Sequence, residues 1–281
     1  MTGVQTCAPS DLLCMFDTDT GESKIIHSAS GLGSIIEIDF NGRYLMWRER
    51  NSEVDCMKLA DMENGNEEVV VPGLKSTYSE VGMTEDYLFW FDLEEETHMF
   101  AMYRYDFETK NKVKLIQTDS ILGNYNIEVS QKVISILIYK KNVTTIQGYD
   151  FNGNLLYNYN TKESVCEFGS CNSYGAVWLN SDNQEVHFYD SKADKVYNLG
   201  NAISFEQIED CIIINDYEHG VYSYKVGSNI QKHIIRTPEN YMVGMSEDVN
   251  GDIHGKWIIP MQSYSSGENE FLLLKVSQSI K

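Results

Sequence analysis

Five glutamates recur through the sequence in one kind of setting. Glu37, Glu80, Glu128, Glu167 and Glu206 sit in IIEI, YSEV, NIEV, VCEF and SFEQ, flanked by apolar or small residues and spaced by 43, 48, 39 and 39 positions. A carboxylate repeated once per structural unit and turned toward a common axis forms a ring of oxygen ligands, which suits a divalent cation or a cationic group. The same spacing arises when each carboxylate accepts backbone N–H bonds from a neighbouring unit, since a buried carboxylate must find donors whatever its function. The structural role is the expected one, and the cation ring is the alternative. The six His, at 27, 98, 187, 219, 233 and 254, follow no metal-ligand spacing, and no Gly-x-Ser-x-Gly elbow occurs. No catalytic residue and no cofactor is therefore assigned. Cys166 and Cys171 bracket EFGS, and a tight hairpin there would bring the two sulfurs into bridging range in an oxidising compartment. Two unbridged small core residues are the alternative.

The elements that must carry these residues repeat as well. Runs ending in an apolar or aromatic residue or Ala, followed by Asp, recur as MFD, KLAD, YRYD, QGYD and HFYD, so that Asp17, Asp61, Asp106, Asp150 and Asp190 follow one another by 44, 45, 44 and 40 residues. Each Asp opens a turn rich in Gly, Asn or Lys before a second apolar run, which is hairpin chemistry. Trp47, Trp90, Trp178 and Trp257 lie in YLMW, YLFWF, AVWL and KWII, at one repeat or about two repeats apart, and VISILI and CIIIN fill the same place in the copies between. That position wants a bulky core residue. Two-residue alternation and β-branched or aromatic enrichment run throughout, without sustained helical spacing. One period thus reads as a Glu-bearing strand, a polar turn, an apolar strand, a loop, a strand ending at Asp, and a last strand.

Four antiparallel strands at a period of about 40 residues predict an all-β chain folded as a β-propeller, whose radial sheets pack face to face and leave only short edges. Residues 13–30 supply two strands of one blade, residues 31–240 five full repeats, and residues 241–281 three strands. Seven blades is the simplest count for the intact ring, with six or eight as alternatives. Residues 1–12, MTGVQTCAPSDL, resemble the conceptual translation of a sequencing-library adapter. The expectation is that this segment is not native, that the native start with any signal or anchor lies upstream, and that residues 13–281 form one propeller domain.

IIEIDFNGRYLMWRER followed by MKLADMENGNEEVVV resembles the blades of the bacterial TolB-like propellers: a strand, a Gly-bearing turn, a YLVW-like strand and a YDLxTG-like hairpin. The likeness spans nearly all of residues 13–281, although the Ser-Pro-Asp-Gly turn common in such repeats is absent. The resemblance implies an extracytoplasmic scaffold that binds partners, sometimes a propeller attached to a hydrolase. A non-enzymatic binding scaffold is the expected function. The alternatives are a propeller lyase, lactonase or glycosidase using channel carboxylates, or the gating propeller of a larger peptidase.

Charge narrows the partners. The 281 residues carry 22 Lys and Arg against 42 Asp and Glu, a net charge of −20, which repels nucleic acid backbones and anionic membrane surfaces. No run of about 18 apolar residues is present to span a bilayer as a helix. A protein or a carbohydrate is the expected partner of a monomer; the many Tyr, such as Tyr103, Tyr105, Tyr157, Tyr159, Tyr222 and Tyr224, could stack on sugars, with cross-strand packing as their default role.

Overall fold

In a computed structural model the chain is all β, with no helix among the described residues. The structure describes residues 2–275 other than 8–10, 18, 19, 21, 30, 32, 54, 76–80, 119–124, 131, 141, 142, 172–174, 209, 217–219, 228, 229, 236–240, 244–249, 252–255 and 264–268. Two compact units divide the chain at residues 1–127 and 128–281.

The first unit opens with a three-stranded sheet of β1 (Thr2–Cys7), β2 (Leu12–Asp17) and β3 (Ser23–Ser28). A second sheet holds β4 (Ser34–Phe40), β5 (Tyr44–Arg50), β6 (Asp55–Asp61) and β7 (Asn66–Val71); a third holds β8 (Val81–Met83), β9 (Tyr87–Glu94), β10 (Met99–Asp106) and β11 (Lys112–Thr118). The next sheet comprises β12 (Tyr125–Val129), β13 (Ile134–Lys140), β14 (Val143–Tyr149) and β15 (Leu155–Thr161). In the second unit follow β16 (Val165–Cys171), β17 (Gly175–Asn180), β18 (Glu185–Asp190) and β19 (Lys195–Asn201), then β20 (Ser204–Ile208), β21 (Cys211–Asp216), β22 (Gly220–Lys225) and β23 (Ile230–Ile235). The last sheet has β24 (Tyr241–Val243) and β25 (Asn250–Gly251) on one edge of β26 (Lys256–Ser263) and β27 (Asn269–Lys275) on the other. These antiparallel meanders are propeller blades, and the five four-stranded sheets fall over residues 34–235, within the span read as five full repeats.

The first sheet joins β2 and β3, the two strands read from residues 13–30, to a third, because Thr2–Cys7 pairs with Leu12–Asp17 in register from Thr2 with Asp17 to Cys7 with Leu12. Backbone pairing asks only for an extended segment with free N–H and C=O groups, so an open strand edge accepts such a segment.

The Asp at each strand end works as the spacing predicts. Asp61 accepts the Glu63 N–H at 3.0 Å, Asp106 the Thr109 N–H at 2.7 Å, Asp150 the Asn152 N–H at 2.9 Å and Asp190 the Lys192 N–H at 2.9 Å. Each turn then reverses through a left-handed residue: Gly65 at φ 73°, Lys110 at 59°, Gly153 at 84° and Asp194 at 48°. Glycine meets that requirement without strain, whereas Lys110 and Asp194 meet it against the usual preference of L-residues.

Packing follows the predicted phase. Trp47 on β5, Trp90 on β9 and Trp178 on β17 are all fully buried on the second strands of their sheets. Each faces the preceding blade: Trp47 packs with Leu13, Trp90 with Met46 and Leu59, and Trp178 with Val133 and Ile146. Trp257 lies on β26, paired with Leu274. Tyr103 stacks on Trp90 across the β9–β10 pair at 5.5 Å, and Tyr159 of β15 stacks on Trp178 of the following sheet at 5.0 Å. Within each unit first strands of successive sheets approach one another, β1, β4 and β8 in one and β16 and β20 in the other.

Candidate functional site

The glutamate series divides once its neighbours are known. Glu167 on β16 accepts the Phe205 N–H of the following blade at 3.2 Å, the structural role expected of a carboxylate repeated once per blade. Glu37 instead stays within its own sheet, where it receives Arg48 Nη1 at 2.9 Å. It occupies a break in the β4–β5 register between Ile36 and Asp39 with φ at 51°, a bulge conformation that costs a non-glycine residue energy. Arg48, with a fully buried side chain, also grips Asp55 through Nε at 2.6 Å and Nη2 at 2.7 Å, while Arg50 Nε adds a bond to Asp55 at 2.8 Å. Burial pushes the Glu37 carboxyl up against the opposing pull of Arg48; burial acts likewise on Asp55, but the bonds from Arg48 and Arg50 outweigh it and hold that carboxyl low. Glu128 is exposed on β12 and Glu206 lies on β20 opposite Ile213, whereas Glu80 falls outside the described residues. Among the described residues no group of three or more His, Cys, Asp and Glu is arranged to hold a metal.

Cys166 and Cys171 do not flank a hairpin. Both lie on β16, and a strand rising about 3.3 Å per residue carries them far beyond bridging separation. Cys166 is a free, exposed thiol.

A cleft of about 890 Å³ opens in the first unit over the turns of the second and third sheets. Seven carboxylates and two cations line it, together with the rings of Tyr44, Tyr87 and Phe107. The turn at Asn41 leads into two of its lining residues, Arg43 and Tyr44. Asn41 Oδ1 accepts the Tyr44 N–H at 2.7 Å, and Asn41 Nδ2 donates across to the Thr84 and Glu85 carbonyls at 2.7 and 3.3 Å, locking the two blades' turns together. The Phe107 N–H donates to the Asp86 carbonyl at 3.0 Å, and the Phe107 ring stacks on Tyr44 at 4.3 Å. Arg43 reaches Asp61 at 2.8 Å and Glu63 at 3.3 Å, and its guanidinium stands 4.9 Å over the Tyr44 ring. Lys110 Nζ meets Glu68 at 2.8 Å, and the Tyr105 hydroxyl donates to the same carboxylate at 3.1 Å.

Two histidines also gain meaning only in three dimensions. His27 Nε2 is 2.9 Å from Glu49 and Nδ1 3.4 Å from Glu67, with Lys58 Nζ 2.8 Å from Glu49. His187 Nδ1 is 2.8 Å from Glu163 and Nε2 3.4 Å from Glu185, and Glu163 further accepts the Trp178 indole N–H at 2.6 Å. A neutral imidazole can donate to only one of its two carboxylates, and an imidazolium to both. Glu185 shares β18 with His187, but Glu49, Glu67 and Glu163 lie on other strands or turns, so the sequence holds no local signal for either cluster as a whole. Asp39 is a third site of this kind. It accepts the Phe40 N–H at 2.8 Å, and burial pushes its carboxyl up to about 6.

No family model matches the sequence, and no curated protein does. Solved structures match in fold. An oligogalacturonate lyase in complex with manganese aligns at TM-score 0.56 and 10% identity over 96% of this chain and 84% of that one. TolB from Acinetobacter baumannii aligns at 0.52 and 12%, over 98% of this chain and 63% of its own. The β-propeller domain of the Trilobed protease from Pyrococcus furiosus aligns at 0.55 and 11%, over 88% and 84%. Likeness at such identities shows the fold, and the fold is a β-propeller.

Proposed function

We propose that the protein is a non-enzymatic binding scaffold that works outside the cytoplasm as a monomer, with the turn face of its first unit as the contact surface. The cleft over the second and third sheets carries this reading: it is concave, and its turns are fixed by side-chain and backbone bonds within and between blades. Loops held by a rigid scaffold are where proteins place contacts, and a preformed surface loses little entropy on binding. Similarity to TolB-like propellers supports the extracytoplasmic setting. The test is capture from a bacterial cell-envelope extract with the full chain and with a Glu85→Lys, Glu108→Lys double variant. A protein retained by the first and lost by the second is the expected result. Identical retention by both removes the cleft from the reading. Turnover of oligogalacturonate in the presence of manganese, the ligand pair of one similarly folded lyase, would replace the scaffold with an enzyme.

A further inference from the structure

We infer that the cleft of the first unit takes a lysine- or arginine-bearing segment of a partner protein, an inference that rests on the scaffold reading and names its ligand class. The cavity already seats cations of the chain itself. Arg43 lies between the Asp61 carboxylate and the face of Tyr44, and Lys110 closes on Glu68; next to the cavity, Arg104 stands 4.7 Å over the ring of Tyr87, one of its lining residues. At Arg43 a carboxylate and an aromatic face share one cation, and this pairing suits guanidinium and ammonium groups. These internal pairs use Asp61, Glu63 and Glu68, Glu67 faces His27 at 3.4 Å and Lys58 at 3.6 Å, and Asp106 is held low first by the Thr109 N–H of its own turn. Glu85, Asp86 and Glu108 remain, all exposed around the cleft, and they neither cap its turns nor pair with its cations.

The turns that carry two of those three carboxylates are held in place. The backbone of Glu85 is fastened by Asn41 and that of Asp86 by Phe107. An arriving cation meets carboxylates on turns that are already in place, so little ordering is needed to bind it. A second copy of this chain is a poor occupant, because each copy carries −20. A lone small amine would leave most of the roughly 890 Å³ empty, whereas a peptide segment with more than one cationic side chain fills a pocket of that class.

Fluorescence anisotropy of the full chain with labelled oligolysine and oligoarginine peptides, against oligoglutamate, Gly-Ser and spermine controls, tests this. Both cationic peptides should bind, more weakly as salt rises, and spermine should bind less tightly than either. Neutralising the rim with Glu85→Gln, Asp86→Asn and Glu108→Gln should weaken peptide binding by about tenfold or more. A charge-matched variant with Glu22→Gln, Glu53→Gln and Glu96→Gln, all at exposed positions away from the cleft, should bind as the parent does. Equal weakening in both variants would reduce the effect to bulk charge and overturn the inference, as would an absence of peptide binding by the parent. Circular dichroism confirms that each variant keeps its β structure. If the peptides fail while the charge-reversed double variant still loses its captured protein, the scaffold reading stands and the cationic ligand class falls.

Discussion

Asp39 offers a sharp test of how burial acts on the inner strands. Its carboxyl sits on β4 and bonds the Phe40 N–H at 2.8 Å, but burial dominates and raises it from 3.8 to about 6. One pKa unit is worth about 1.4 kcal/mol, so the ionised folded state is disfavoured by about 3 kcal/mol relative to the unfolded chain. The sign follows from which state holds the proton. Below the unfolded value of 3.8 both states are protonated and Asp39 costs nothing. As pH rises through the folded value of about 6, the native state clings to a proton that the unfolded chain has released, and stability is lost up to the full amount. Asp39→Asn removes the ionisation and keeps an oxygen to accept the backbone N–H. Urea unfolding followed by tryptophan fluorescence at about pH 4 and about pH 7 should find the variant more stable than the parent at the higher pH by about 3 kcal/mol, with the gap closing at the lower. A parent as stable as the variant at neutral pH, or a gap that does not change with pH, refutes the argument.

Other expectations follow from packing and turn geometry. Trp90→Ala should cost about 3–5 kcal/mol by urea unfolding, the usual loss for a deleted core aromatic, and a loss below about 1 kcal/mol would show that the indole is peripheral. His98 is exposed in the β9–β10 turn with φ at 54°, so His98→Gly should raise stability, by about 1 kcal/mol. Gly65→Ala, at φ 73°, should lower it by a similar amount; shifts of the same sign in both would show that left-handed strain does not govern these turns. Glu163→Ala strands the Trp178 indole N–H and frees one side of His187, which should cost about 1–3 kcal/mol and shift the tryptophan emission. Unchanged stability and emission would mean that water replaces the carboxylate.

The blade architecture was legible in the sequence because its determinants are local and periodic. An Asp that accepts N–H groups two or three residues ahead needs nothing but its own turn, as at Asp61, Asp106 and Asp190. A bulky residue on each second strand is set by the two-residue alternation and the repeat length, which is why Trp47, Trp90 and Trp178 occupy equivalent buried places. Spacing also marked a glutamate on each first strand but was silent on its partner. Only the tertiary structure decided that Glu167 serves the Phe205 N–H, 38 residues away, while Glu37, displaced by a bulge, serves Arg48. For the same reason the cleft was invisible: its wall joins turns from residue 43 to residue 110 that become neighbours only when two blades pack. His27 between Glu49 and Glu67 belongs to the same class. Turn and strand chemistry acts over a few residues and can be read in one dimension; the charge on a carboxylate and the shape of a binding wall depend on which strands stand face to face, and that is set by the packing of sheets.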